Sequence, residues 1–246
     1  MTALDGVIAA ARTILAERYP HASVAFAAGS LVRGEGTRYS DIDLVVVYAS
    51  LDCASRESFV FGDYPVEAFI HDPETLEYFF LEVDRASGVP TLPQMVSEGI
   101  EIPGANELSR ALKARAAEVL AMGPPALDAA SEQKLRYFVS DLLDDLRAPR
   151  SREELVATAC RLYDDLANYY LRSRGQWSAK SKTIPRTLKR LDPHLHDRYG
   201  ESFDRLFVDG DPAPVLALAE ELLAPQGGLL FDGYRSDAPA DWRRGE

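Results

Sequence analysis

The chain is poor in several features that would otherwise set its class. It has two cysteines in 246 residues, Cys53 and Cys160. They are too few for a disulfide framework and lack the spacing of a metal-binding pair, so the expected setting is a reducing cytoplasm. No apolar run approaches the roughly 20 residues that a membrane-spanning helix needs, and no membrane partner is expected. The N-terminal stretch does not read as a secretory leader, because Asp5 comes early and Gly6, Arg12 and Thr13 break the apolar pattern. Basic residues are in deficit, 27 Lys and Arg against 39 Asp and Glu, for a net charge of −12. That argues against a broad nucleic-acid surface and suits a cationic partner. Internal repeats and low-complexity segments are also lacking.

What remains is an ordinary globular composition, 46% apolar and 27% charged, on a chain long enough to bury a substantial core. Val7, Ile8, Ala11, Ile14 and Leu15 share one face of a helix expected over residues 4–18. Residues 23–28 read as a strand that runs into Gly29-Ser30. Residues 31–38 read as a short helix or loop, loosened by Gly34 and Gly36. A second strand is expected over 41–48. Both of its faces are apolar past the first residues, Val45 and Val47 on one, Leu44, Val46 and Tyr48 on the other. Such a strand lies centrally in a sheet with layers on both sides. A third strand is expected over 65–70, a helix over 73–86, a loop over 88–93 and a short strand over 99–103. Beyond residue 106 the pattern is helical, with segments near 106–122, 131–147, 151–173, 184–191, 195–207 and 212–224. From Pro225 the chain reads as irregular. The layout is α+β: an N-terminal α/β unit over residues 1–104, a helical bundle over 105–225, and a tail over 226–246.

The chemistry concentrates at the head of the second strand. Asp41 and Asp43 are two residues apart and therefore stand on one face. Two like charges that close need a cation between them, and Mg²⁺ takes one or two carboxylates together with substrate phosphates. Gly29 lets a backbone approach closely, and the N–H groups of that turn, with the Ser30 hydroxyl, suit phosphate oxygens. Glu67 sits among Val66, Ala68 and Phe69, where a carboxylate is out of place without a task or partner. If its strand neighbours that of Asp43, Glu67 is a third carboxylate at the same rim, as a metal ligand or a general base. Glu57, Asp63 and Asp72 lie nearby in sequence and compete with it for that place.

Gly29-Ser30, the spacer, Asp41-Ile42-Asp43 and the later acidic strand residue together resemble the nucleotidyltransferase superfamily, the DNA polymerase β-like enzymes. With a helical C-terminal half, the layout is similar to the antibiotic nucleotidyltransferases of the kanamycin and streptomycin type. The resemblance implies a mixed sheet flanked by helices in the first unit. It implies transfer of a nucleoside monophosphate, usually AMP from ATP, to an acceptor hydroxyl with one or two Mg²⁺ ions. By position, Gly29 and Ser30 bind phosphate, Asp41 and Asp43 hold metal, and Glu67 is the base or a further ligand. Arg33 and Arg38 are candidates for the outer phosphates. A Trp177…Lys stretch similar to that of the streptomycin-type enzymes makes Lys180 or Lys182 a further candidate, Lys182 being favoured. The acceptor is expected to be a small, cationic molecule of aminoglycoside type. The acidic residues Asp141, Asp144, Asp145, Asp164 and Asp165 read either as a solvated helix face or as its binding surface. A homodimer is compatible with the pattern. The alternative is a non-catalytic, or a protein- or RNA-modifying, module of the toxin–antitoxin type.

Overall fold

The computed structural model describes residues 3–238 and residue 242. By its internal contacts the chain forms two compact units, Met1–Pro125 and Ala126–Glu246, each treated by itself below.

In the first unit, α1 (Ala3–Arg18) is followed by β1 (Val24–Ala28), the short α2 (Gly29–Val32) and β2 (Ile42–Val47). β3 (Ser55–Phe61) and β4 (Tyr64–His71) form a hairpin, and Gly62 at its turn takes a left-handed φ of 58°. Asp72 then starts α3 (Pro73–Tyr78). Its carboxylate accepts the Thr75 N–H while the Thr75 hydroxyl accepts the Asp72 N–H, and Pro73 stands in the first turn, where its missing donor costs nothing. α3 continues directly into a π-helical segment, Phe79–Arg85. α4 (Thr91–Glu98), β5 (Ile100–Ile102) and α5 (Glu107–Met122) complete the unit.

The strands form one mixed sheet in the order β3-β4-β2-β1-β5. β2 pairs with β4 in parallel, and the other pairs are antiparallel. β2 lies centrally, as its two apolar faces require. Leu44 and Val46 join Ala25, Ala27 and Ala68 against Val7, Ala11 and Ile14 of α1. Val45 and Val47 join Val24 and Phe26 against Leu76, Phe80, Val96 and, from α5, Leu112, Ala116 and Val119. The sequence reading divides the chain at residue 104 and counts this last helix with the bundle. Its apolar stripe covers the sheet instead, so the contacts divide the chain after Pro125.

The second unit contains α6 (Ala129–Arg147), α7 (Arg152–Arg172), α8 (Thr183–Leu191), α9 (Pro193–Asp209) and α10 (Ala213–Leu223). Leu143, Leu162, Leu166, Tyr199, Phe203 and Leu206 are among its buried residues. Asp192 ends α8 and caps α9, and Pro193 opens the new helix, so the chain turns there. Residues 227–238 are irregular but anchored: the Leu230 N–H donates to Ser140 Oγ at 2.9 Å, and Tyr234 stacks on Tyr137 at 4.0 Å.

Two elements depart from the sequence reading. The sequence does not mark β3, whose first residues, Ser55, Arg56, Glu57 and Ser58, are polar; it is an edge strand, exposed or half-buried along its length. Residues 91–98 form a helix although Pro93 reads as a breaker. Pro93 lies in the first turn, where a proline removes no intrahelical hydrogen bond.

His71, at the end of β4, is buried between Thr75 and the edge of the Phe79 ring. Burial lowers its pKa from its usual value to about 4, against a smaller opposing pull from Asp72. The unfolded chain takes up a proton near pH 6.5 that the folded chain refuses until about pH 4, so this contribution is complete above pH 6.5 and is lost as pH falls between those values. The loss is on the order of 3 kcal/mol. Denaturant unfolding at a series of pH values should show a shallower decline between pH 6.5 and 4 for His71→Asn than for the native chain; equal slopes would reject this account.

Candidate active site

The parallel register of β2 and β4 sets Asp43 directly beside Glu67, and the next pair on that face is Val45 beside Phe69. The hydrophobic pair lies under the helices, while the acidic pair lies past the cover, half-buried at the rim. Asp41, two residues earlier, points to the same side. One carboxylate oxygen from each of Asp41, Asp43 and Glu67 lies within 4.8 Å of the others, and among the described residues this is the one cluster suited to hold a metal ion. The donor set is all carboxylate, with no thiol or imidazole, which fits a hard divalent cation such as Mg²⁺ or Mn²⁺.

Gly29 forms the floor of this site. β1 pairs with β2 so that Ala28 stands opposite Asp43, and Gly29 follows with a φ of 82°. A Cβ placed on Gly29 would come within 1.8 Å of Asp43 Oδ2. Glycine is therefore required twice, for the left-handed backbone and for the space taken by the carboxylate. Ser30 Oγ donates to Ser40 Oγ at 3.1 Å, and Ser40 Oγ also accepts the Thr37 N–H at 2.9 Å. These bonds tie the Gly29-Ser30 turn to the residue just before Asp41 and close the spacer into a defined loop.

The competing carboxylates have other partners. Glu57 lies on the opposite face of β3 and binds Arg18 and the Tyr19 hydroxyl, each at 2.7 Å, which holds its carboxyl below the usual range. Asp72 is spent on its helix cap and on the Leu51 N–H. Asp63 lies exposed in the β3–β4 turn. His71 stands four residues along β4 from Glu67, roughly 13 Å at strand rise, and takes no part in the cluster.

The cationic candidates are less gathered. Arg33 follows α2 and contacts Glu35 at 3.3 Å and Glu98 at 3.5 Å. Arg38 lies over the exposed Tyr39 ring at 4.4 Å and bonds its hydroxyl. Lys182 belongs to the second unit, exposed at the N-terminus of α8. The loop before it is pinned by Asn168 of α7, whose amide group accepts the Ala179 N–H and donates to its carbonyl, both at 2.9 Å. In the acidic helices Asp144 pairs with Arg147, and Asp165 pairs with Arg161 at 2.6 Å, each within one helical turn. Part of that negative charge is thus neutralised by the same helix.

One cation that the sequence reading missed reaches the cluster. Arg56 of β3 stands opposite Phe69 and diagonally from Glu67. Its Nη2 donates to Glu67 Oε2 at 2.7 Å, and its guanidinium lies over the Phe69 ring at 4.8 Å. Recognising β3 as the partner of β4 would have exposed it, since diagonal neighbours on one sheet face are within reach of a long side chain.

Residues 8–79 match the family profile of the nucleotidyltransferase domain, a span that holds Gly29, Ser30, Asp41, Asp43 and Glu67. No curated protein matches the sequence. Among solved structures, a nucleotidyltransferase-like protein from Exiguobacterium sibiricum 255-15 is similar at 15% identity, with a TM-score of 0.43, over 90% of this chain and 76% of that one. The match to the nucleotidyltransferase domain thus falls within the first unit and spans the carboxylate cluster.

Gly29→Ala should cost roughly 1–2 kcal/mol from the left-handed backbone alone, and more if Asp43 cannot move aside. Denaturant unfolding combined with a nucleotidyl-transfer assay tests this. The expected result is a destabilised protein with little transfer; an alanine variant of native stability and rate would show that Asp43 does not need the space.

Proposed function

We propose that this protein transfers a nucleoside monophosphate from a nucleoside triphosphate to the hydroxyl of a small acceptor, with a divalent cation held by Asp41, Asp43 and Glu67. The observation that carries this reading is the meeting of those carboxylates, drawn from two adjacent parallel strands, beside a glycine turn with room for little but backbone. In that reaction the acceptor oxygen bonds to the α-phosphorus, the bond to the departing pyrophosphate breaks, and the acceptor proton leaves to a base. A bound cation would neutralise charge on the phosphates and on the leaving group.

The chain's own part is positional. The Gly29-Ser30 turn offers N–H groups and a hydroxyl to phosphate oxygens. Asp41 and Asp43 are aligned by the strand and need no rearrangement to act together. Glu67 is the candidate for the acceptor proton. Arg33 and Arg38, on the exposed stretch after the turn, are the candidates for the outer phosphates; Lys182 is left without an assigned role. ATP is the favoured donor, and the net charge of −12 favours a cationic acceptor of aminoglycoside type.

The test mixes the protein with Mg²⁺ and each α-labelled nucleoside triphosphate and follows label into an aminoglycoside panel and other small amines bearing hydroxyls. Label should enter an acceptor with the native protein and vanish on chelation of the metal. Asp41→Asn and Asp43→Asn should each lower transfer by at least about a hundredfold. Neither should destabilise the metal-free fold, because each removes a like-charge repulsion. Full transfer by the Asp41→Asn, Asp43→Asn double variant would falsify the proposal.

A further inference from the structure

We infer that Arg56 is a positioning residue which stands in for the cation while the site is empty, and which weakens metal binding until a nucleotide arrives. The inference rests on the reading of Asp41, Asp43 and Glu67 as metal ligands.

Three carboxylates with oxygens within 4.8 Å repel one another. The Arg56 guanidinium brings a positive charge to this cluster, 2.7 Å from Glu67 Oε2. Phe69 supports it from below at 4.8 Å, and the paired strands fix its origin opposite that ring. The contact contributes little to stability. Arg56 is 56% exposed, and ion pairs that open to water contribute little to folding. Its effect falls on Glu67, in two ways. It occupies one of the two carboxylate oxygens and so limits how Glu67 can turn. It also places a positive charge beside the cluster, which any incoming cation must oppose.

The metal-free cluster then has less pull on a bare cation than three carboxylates would have alone. A cation arriving with a triphosphate brings its own negative charge and is less affected. The device favours loading of the metal–nucleotide pair over capture of the metal by itself. A guanidinium is suited to this role, because its planar fork holds a carboxylate in one orientation while the ring supports its face; a lysine supplies charge without that geometry.

The experiment measures Mn²⁺ binding to the nucleotide-free full chain, by the free-Mn²⁺ resonance signal, for the native protein, Arg56→Gln, Arg56→Lys and Arg18→Gln. Arg18 forms the ion pair with Glu57 on the other face of the same edge strand and serves as the control. Arg56→Gln should bind Mn²⁺ about three- to tenfold more tightly than the native chain, as loss of one nearby positive charge implies. Adding Asp43→Asn to Arg56→Gln should abolish that gain. Arg56→Lys should stay near native affinity, and Arg18→Gln should not move it, its charge being screened from the site. In the transfer assay Arg56→Gln and Arg56→Lys should both lower kcat with little change in the KM for the triphosphate, since orientation of Glu67 is lost in each. Native Mn²⁺ affinity in Arg56→Gln, beside a loss of binding in Asp43→Asn, would overturn the role of Arg56 and leave the metal site standing. If neither the native chain nor Arg56→Gln binds Mn²⁺, the role of Arg56 is also overturned, and chelation in the transfer assay then decides the metal reading separately. Unfolding curves for both Arg56 variants should superimpose on the native one.

Discussion

The first unit is organised around the cost of holding three carboxylates at one rim of a sheet. Each would be more comfortable in open water. The parallel pairing of β2 and β4 instead places Asp43 and Glu67 side by side. That register is in turn held by the apolar residues further along the same strands. A slip of one residue would turn Val45, Val47 and Phe69 out of the core, so the hydrophobic layer beneath α3, α4 and α5 also enforces the electrostatic strain above it. The acidic cluster is affordable only because it lies just past the edge of that cover, where water or a ligand can reach it.

Two further contacts make the arrangement workable. Gly29 yields the space that Asp43 fills, so the turn of the backbone and the position of the carboxylate are a single packing solution. The bonds among Ser30, Thr37 and Ser40 tie the far end of that turn to the chain just before Asp41. The loop between the strands is therefore an extension of the site, with its two ends fastened at the place where phosphate and carboxylate chemistry would meet. Arg56 adds an exposed positive charge to this frame from the edge strand.

Much of this was legible in the residues, and the exceptions have identifiable reasons. The central place of β2 followed from apolar residues on both of its faces, because only a strand covered on two sides carries them. The pairing of Asp41 with Asp43 followed from strand periodicity. Arg56 was not legible, since its strand is an edge with polar residues on both sides and no alternation to mark it. The helix over residues 91–98 was hidden by Pro93, which breaks helices everywhere except in the first turn. The helix over residues 107–122 was visible as a helix, but its allegiance was not: an apolar stripe states that a face will be buried and not against what.

The sequence alone determined the kinds of groups available, the Gly-Ser turn, the central strand, and the presence of two acidic residues on one strand face. These are local properties, set by backbone geometry and by the side-chain period of two. The tertiary structure decided which carboxylate joins them. The apolar neighbours of Glu67 favour it over Glu57, Asp63 and Asp72, but nothing local in the sequence places it beside Asp43. Pairing β4 beside β2 brings Glu67 to Asp43, while Arg18 and Tyr19 take Glu57, the cap of α3 takes Asp72, and Asp63 is left in a turn. Strand neighbours distant in sequence are chosen by what the whole sheet can bury, and that choice is made only when the chain folds.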